Sequence, residues 1–260
     1  MSTQVMRVSK IKSGGAMAGL MRHSARVTSP VWVDSTLEAG NRHWTVSEDH
    51  SQGSVMLNPA WKETPDERLK TMWDRFAEKL PDKTRKNAVL GLELIFTTDF
   101  PGMEKIARGE GGKQRYAELN NDLLKWIAKE FGGSENIISS HLHTDEATPH
   151  WHIFVVPLDK EKKLNASKYL AGSKHRMSEL QDRFHEAVGK KYGWERGEKY
   201  TGRKHVSPKD YHDQPGRVAA RAAAKESREL TRLKKENQAL KAEVETLRPR
   251  SRGVENGRNM

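Results

Sequence analysis

The sequence predicts an α+β domain, an antiparallel or mixed sheet with helices packed on it, followed by a C-terminal helical extension of coiled-coil character. Three observations carry this. Short β-branched runs alternate with helical stretches in the order β, α, β, α, β, β, α. Proline, glycine and acidic signals punctuate the helices. Near the C-terminus, leucine recurs every seventh residue at Leu233, Leu240 and Leu247.

Each element has its own justification. Val5 to Ile11 reads as a first strand, and after Ser13-Gly14-Gly15 a short helix runs from Ala16 to about Arg26. Residues 28–60 are rich in turn formers and read as an irregular insert. Thr64-Pro65-Asp66-Glu67 starts a helix, with proline at the first helical position and acids in the first turn; it should stop at Pro81. Ala88 to Thr98 is the most apolar strand. Lys113 to Phe131 is an amphipathic helix closed by Gly132-Gly133. Asn136 to Thr144 and His150 to Val156 are strands joined by a short polar link that ends in Pro149. Ser173 to Tyr192 is a last amphipathic helix, with Met177, Leu180, Phe184 and Val188 on one face.

The C-terminal heptads place Leu233, Leu240 and Leu247 at d, and Leu230, Asn237 and Val244 at a. One asparagine at a favours a parallel two-stranded pairing in fixed register. Glu229 with Lys234, Glu236 with Lys241 and Glu243 with Arg248 are opposite charges at g and the following e positions. A homodimer through residues 226–248 is expected, with 1–212 the main domain, 213–248 the helical segment and 249–260 a disordered tail.

Composition narrows the function. The 260-residue chain has no cysteine, which excludes disulfides, thiolate zinc sites and thiol nucleophiles. No apolar run is long enough to span a membrane, and the N-terminus has no signal-peptide core; a soluble cytoplasmic protein is expected. Net charge is +11, and from Lys191 onward 18 Lys and Arg stand against 10 Asp and Glu. Such a basic chain suits a polyanion, nucleic acid before a membrane surface.

The chemistry concentrates between His141 and His152. Along a strand, side chains alternate faces, so His150 and His152 point one way and Trp151 the other. An antiparallel return brings His143 opposite that pair. Three imidazoles then converge with room for water or substrate, as in an open catalytic metal site. His141 shares the parity of His143 and competes as a ligand. Asp145 or Glu146 could complete the shell or orient a ligand from behind. Imidazole nitrogen tolerates Mn²⁺, Zn²⁺, Co²⁺ and Ni²⁺. In a basic protein without thiols, the natural use of such a metal is Lewis-acid catalysis on a phosphate ester.

The run His143-x-Asp145-Glu146-x-x-Pro149-His150-x-His152, ending at Pro157, resembles the metal motif of the MobV relaxases. These are the Pre/Mob plasmid recombination or mobilization proteins of the histidine-hydrophobic-histidine (HUH) endonuclease superfamily. Arg7-Val8-x-Lys10-x-Lys12-x-Gly14 and His23-Ser24-Ala25-Arg26 resemble that family's N-terminal strand and His-Asn-x-Arg motif, with Ser24 in place of asparagine. Gln181-Asp182-x-Phe184 and Gly193-Trp194-Glu195-Arg196-Gly197 are similar to the closing helix and turn. The resemblance covers roughly residues 4–212.

The resemblance implies an HUH-endonuclease-like, five-stranded antiparallel sheet flanked by helices. It implies an enzyme that nicks one strand at a plasmid transfer origin, stays joined to the 5′ end and later religates it. His143, His150 and His152 would hold a divalent metal, Mn²⁺ or Mg²⁺, with Glu146 beside it. His23 falls at the proposed nucleophile, and Arg26 and Asn41 would lie at the DNA. The implied partners are origin-of-transfer DNA and the conjugation coupling machinery.

The residues agree on several points. No tyrosine precedes Tyr116, so an N-terminal tyrosine nucleophile is absent, and neutral imidazole is a competent alternative. Arg7, Lys10, Lys12, Arg22 and Arg26 crowd the first strand and helix, where they could neutralise a DNA backbone. Trp32, Trp44 and Trp61 could stack on unpaired bases or simply pack. Two other readings compete. A phosphoesterase acting on nucleotides leaves His23 and the basic C-terminal region unexplained. A non-enzymatic DNA-binding dimer is opposed by Pro208 and Pro215, which interrupt any continuous basic helix.

Overall fold

A computed structural model describes residues 2–30, 33, 35–46, 57–59, 63–107, 112–170 and 174–199, together with helical positions between Glu226 and Val244. The chain divides into two units, Met1–Arg203 and Lys204–Met260.

The first unit is built on one antiparallel sheet. Its strands are β1 (Val5–Ile11), β2 (Arg42–Val46), β3 (Leu57–Pro59), β4 (Gly91–Thr97), β5 (Ile137–His143) and β6 (His150–Val155). They lie in the order β1-β4-β6-β5-β2-β3. The expected five-stranded sheet is therefore present, and the three-residue β3 extends one edge. The helices are α1 (Gly14–Ser24), α2 (Pro65–Lys79), α3 (Phe100–Ala107), α4 (Gly112–Glu130), α5 (Ala166–Leu170) and α6 (Lys174–Ala187).

Local signals explain the boundaries. Thr64 and Glu67 form a reciprocal capping box at the start of α2, and Pro65 occupies its first turn. Gly132 and Gly133 end α4 at φ +92° and +127°, a region open to glycine and strained for other residues. The insert at 28–60 is less irregular than its composition suggests. It contains β2, whose His43 and Trp44 pair with His141 and Ser140 of β5. Arg-His-Trp-Thr-Val is too short and too polar to announce itself; the strand forms because β5 offers it an open edge.

The two faces of the sheet have different roles. Met6, Leu92, Leu94, Phe96, Leu142, Trp151, Ile153 and Val155 form the main core with apolar residues of α4 and α6. Trp44 belongs to that core and is 8% exposed, so it is unavailable for stacking on bases. Trp32 and Trp61 lie outside the described residues. On the other face, Ile138, Phe154 and Val156 pack against Met17 and Met21 of α1 and Met72 and Phe76 of α2. That packing presses the C-terminal end of α1 onto the face that carries the histidines.

Trp151 is fully buried, with its ring 5.7 Å from that of Tyr116. It anchors β6 from below, while the flanking residues point to the opposite face. Trp151→Ala should lower the unfolding free energy by about 3–5 kcal/mol, read from denaturant midpoints. Trp151→Phe should lose much less, because the indole N–H has no hydrogen-bond partner. Equal losses would mean that the indole has some role other than filling the core.

Candidate metal centre and nucleophile

Strand register assembles the cluster. His143 pairs with His150 and His141 with His152 across β5 and β6. Ile95 of β4 pairs with His152, and Arg7 of β1 pairs with Ile95. All of these residues share one face. The ring centroids of His143 and His152 are 4.8 Å apart, as are those of His150 and His152. His143 and His150 stand at 5.5 Å.

Each of the three rings is turned by a partner behind it. The Nε2–H of His143 donates to the Ser24 carbonyl at 3.1 Å. For His150, Nδ1–H donates to the Thr148 carbonyl at 2.8 Å. The Nδ1–H of His152 donates to Oε1 of Glu93 at 2.8 Å. These outward bonds leave His143 Nδ1, His150 Nε2 and His152 Nε2 as lone pairs aimed inward. His143 Nδ1 is buried without a hydrogen-bond partner, and the Nε2 atoms of His150 and His152 face each other at 2.9 Å. Oε1 of Glu146 joins them, 3.6 Å from His143 Nδ1 and 4.0 Å from His150 Nε2. Three imidazole lone pairs converging with no donor among them, beside a carboxylate, call for a cation. Three imidazoles and a carboxylate suit Mn²⁺ better than Mg²⁺, which prefers an all-oxygen shell.

Electrostatics point the same way. Burial first, and the neighbouring histidines and Arg26 second, hold His143 and His152 well below the ordinary histidine range. The two rings are therefore neutral at neutral pH, each keeping one N–H and leaving its other nitrogen as a lone pair, as a metal ligand requires. Burial opposes ionisation of Glu146, but the adjacent His143, His23 and His150 outweigh it and hold the carboxyl far below its usual value.

Glu93 was not singled out from the sequence. It is a lone carboxylate on the most apolar strand, and no spacing in the sequence links it to the histidines. Buried on the histidine face, its carboxyl is pushed up to about 7 by desolvation. It is the group behind His152, in the carboxylate–histidine arrangement that orients metal ligands.

His141 does not join the cluster. Its Nδ1 lies 2.9 Å from Nδ1 of His43, and its Nε2 lies 2.9 Å from Oγ of Ser139. Both rings are buried; desolvation first, then nearby arginines, brings His43 down to about 3.

His23 comes from α1. Its ring stands 5.2 Å from that of His143 and 5.3 Å from that of His152, with Nε2 3.4 Å from Oε1 of Glu146. Two overlapping groups could thus bind an ion: His23, His143 and His152, or His143, Glu146 and His150.

The end of α1 explains how His23 gets there. Val27 N–H donates to the Arg22 carbonyl at 2.9 Å and Arg26 N–H to the His23 carbonyl at 3.1 Å, a Schellman termination. The left-handed position of that motif usually holds glycine; here it holds Arg26 at φ +62°. Its guanidinium grips both carboxylate oxygens of Asp145, with Nε at 3.0 Å from Oδ2, and reaches Oε1 of Glu146 at 2.9 Å. Asn41 donates to Asp145 at 2.6 Å and accepts from the Thr144 amide at 2.8 Å. Behind this turn, Arg68 of α2 donates to the Ala25 carbonyl at 3.0 Å.

Two expectations are thereby corrected. Arg26 and Asn41 are 6% and 5% exposed, fully occupied beneath the site, and do not offer themselves to DNA. Asp145 is their anchor, so Glu146 alone of the two acids faces the imidazoles. Among the other basic residues, Arg7 is exposed on the histidine face. Lys10 is exposed but has the opposite strand parity, and Arg22 is exposed on α1. Ser24 supports His143 through its carbonyl, while its buried hydroxyl has no partner.

Two outcomes follow. Arg26→Gly relieves the left-handed backbone yet leaves Asp145 buried without its counter-charge. A net loss of about 2–4 kcal/mol in unfolding free energy is expected, since breaking a buried ion pair outweighs the backbone relief. A more stable glycine variant would show that backbone strain dominates. Separately, Glu93→Ala should weaken Mn²⁺ binding about 10–100-fold by calorimetry, and Glu93→Gln by less. Unchanged affinity in the alanine variant would remove Glu93 from the site.

Comparison with known proteins places this geometry in a family. The family model described as plasmid recombination enzyme (Mob_Pre) matches residues 1–213. A type 1 plasmid recombination enzyme of Staphylococcus aureus is 27% identical over 216 residues, 81% of this chain and 49% of that protein. The type 2 enzyme of S. aureus strain Mu50 is 30% identical over 217 residues, 82% of this chain and 46% of that protein. The chain thus spans about half the length of the curated relatives it matches. Among solved structures, a Mn-bound MobM relaxase domain (MOBV; Mob_Pre) on plasmid pMV158 oriT DNA superimposes with a TM-score of 0.59 at 22% identity. That match covers 82% of this chain and all of the other. A likeness at this level shows a shared fold, and the family model rests on the sequence itself: the chain belongs to the plasmid recombination enzyme (Mob_Pre) family.

Proposed function

We propose that this chain is a metal-dependent relaxase that nicks and rejoins one strand of plasmid DNA at a transfer origin, in the bacterial cytoplasm, with His23 as the attacking group. The observation that carries the proposal is the delivery of His23, on the end of a separate helix, to within 3.4 Å of Glu146 and beside the three-imidazole cluster. Names of relatives support it, as do the exposed Arg7 and Ser9, which share the histidine face with half-buried Ile95 and Thr97. This strip of open sheet beside the cluster suits an extended backbone strand.

The residues divide the work. Arg26 Nη1 lies 3.4 Å from His23 Nδ1 and can only donate, so Nδ1 accepts and the proton sits on Nε2, toward Glu146. Glu146, held as a carboxylate, takes that proton as Nε2 attacks phosphorus. The N–P bond forms, the P–O3′ bond breaks, and the 3′-oxygen leaves and is protonated. The strand's 5′ phosphoryl group is then carried on His23. Religation is the reverse: the 3′-hydroxyl attacks, the P–N bond breaks and Nε2 regains its proton. A divalent cation held by His143, His150 and His152 would supply charge withdrawal from a non-bridging phosphate oxygen. The three described tyrosines are committed elsewhere: Tyr116 OH to the Met103 carbonyl, Tyr169 OH to Leu158 and Tyr192 OH to Asp122. Tyr200 and Tyr211 lie outside the described residues.

A second reading has its own observation, since His23 lies within ligand distance of His143 and His152 and could be a fourth ligand. One set of variants separates the two. With labelled single-stranded DNA from the transfer origin of its own plasmid, the protein should form a covalent adduct with Mn²⁺ and none with chelator. The adduct should be lost in dilute acid, as a phosphohistidine bond is. His23→Ala should lower adduct formation on the order of 10³-fold or more while keeping DNA and Mn²⁺ affinity. His152→Ala should lose metal and cleavage together. Loss of Mn²⁺ affinity in His23→Ala makes His23 a ligand, and an acid-stable adduct returns the chemistry to a tyrosine.

A further inference from the structure

The last turn of α1 carries the attacking histidine, and each of its final carbonyls has a separate claimant. The Arg22 carbonyl takes the Val27 amide at 2.9 Å, and the His23 carbonyl takes the Arg26 amide at 3.1 Å. These two bonds are local and wind the turn. The other two come from elsewhere and fix where it stands. The Ser24 carbonyl takes Nε2–H of His143 on β5, and the Ala25 carbonyl takes Nη2 of Arg68 on α2 at 3.0 Å.

Arg68 occupies that place against several local preferences. It is buried, and burial opposes its charge. It closes the first turn of α2, four residues after the Thr64 cap, where the helix dipole disfavours a cation. Its Nη1 donates to the Glu63 carbonyl, while Nε is buried with no partner. Among the described residues, Glu63 and Glu38 act on it only through space. A buried cation compensated so incompletely is a weak source of stability, and an apolar side chain of similar length could fill the same volume. What arginine adds is a rigid donor aimed at the Ala25 carbonyl.

We infer that Arg68 is a positioning residue for the nucleophile: its bond to the Ala25 carbonyl holds the end of α1 so that His23 stays beside Glu146. The inference rests on the reading of His23 as the attacking group. The Arg26 side chain anchors the turn from the site, through Asp145. Arg68 anchors its backbone from the opposite side, through α2. With one anchor the turn can pivot about it; the second removes the pivot. His143, His150 and His152 ride on β5 and β6 and are held by strand register, so a pivoting turn displaces His23 and leaves them in place. The Nε2 of His23 stands 3.4 Å from Oε1 of Glu146, and a displacement on the order of 1 Å at a reacting group can slow a reaction about 100-fold.

Single-turnover adduct formation by the full chain, on labelled single-stranded origin DNA with saturating Mn²⁺, tests this. Rates are compared per folded molecule, counted as the fraction that binds Mn²⁺. Arg68→Met should slow adduct formation about 10–100-fold. Its affinities for the single strand and for Mn²⁺ should be unchanged, and its urea midpoint of unfolding should not fall, because the lost bonds are offset by removal of a poorly compensated charge. Arg68→Lys keeps the charge and one donor for the same carbonyl and should recover most of the rate. A purely structural role gives the opposite pattern, a lower midpoint with folded molecules reacting at full rate, and that result overturns the inference. So does a slow Arg68→Met variant with an equal loss of Mn²⁺ affinity, which would make Arg68 a support of the metal centre. His23→Ala, run alongside, separates the two readings. If it still forms the adduct, the nucleophile reading fails and this inference with it. If it forms none while Arg68→Met reacts at full rate, only the role of Arg68 is overturned.

Discussion

The buried pairing of Arg26 with Asp145 holds the site together. It joins the end of α1 to the turn between β5 and β6, two segments 119 residues apart in the chain. Asn41, from the segment before β2, completes the same carboxylate. One ion pair therefore fixes three things: where His23 stands, which way Glu146 points and how the histidine hairpin turns. Removing either partner strands a charge in the interior, which costs more than most single contacts contribute. Arginine occupies a left-handed position that favours glycine, so the side chain must offset what the backbone loses.

The imidazoles are organised by the same logic at a smaller scale. A lone histidine ring can present either nitrogen. Here the outward N–H groups are claimed by the Ser24 and Thr148 carbonyls and the Glu93 carboxylate. The inward lone pairs are consequently set before any ion arrives. Burial keeps His143 and His152 neutral, so a cation has little proton competition to overcome at the inward nitrogens. His43 and His141 show the contrasting case of histidines that satisfy each other and stay behind the centre.

Much of this was legible in the chain. Strand parity and a short Pro-ended link were enough to bring His143, His150 and His152 together and to send Trp151 into the core, because alternation is a local property of extended backbone. Helix boundaries at Thr64-Pro65 and Gly132-Gly133 followed from capping chemistry. What escaped was non-local. The strand β2 forms on an edge supplied by β5, almost a hundred residues later. Glu93 acquires its role from a register pairing that no spacing in the sequence encodes. Arg26 and Asn41 had the composition of DNA contacts; only burial against Asp145 shows that they are internal supports.

The sequence by itself determined the histidine cluster on one sheet face, the strand faces and the absence of thiol chemistry, all of which depend on residue type and short-range periodicity. Tertiary structure decided which acid faces the imidazoles, which histidine is left out, and that His23 reaches the cluster at all. Those outcomes depend on how α1, β2 and β4 are packed around the hairpin. The physical reason is that orientation at a buried site is set by whichever partner satisfies each polar group, and most of those partners are distant in the chain.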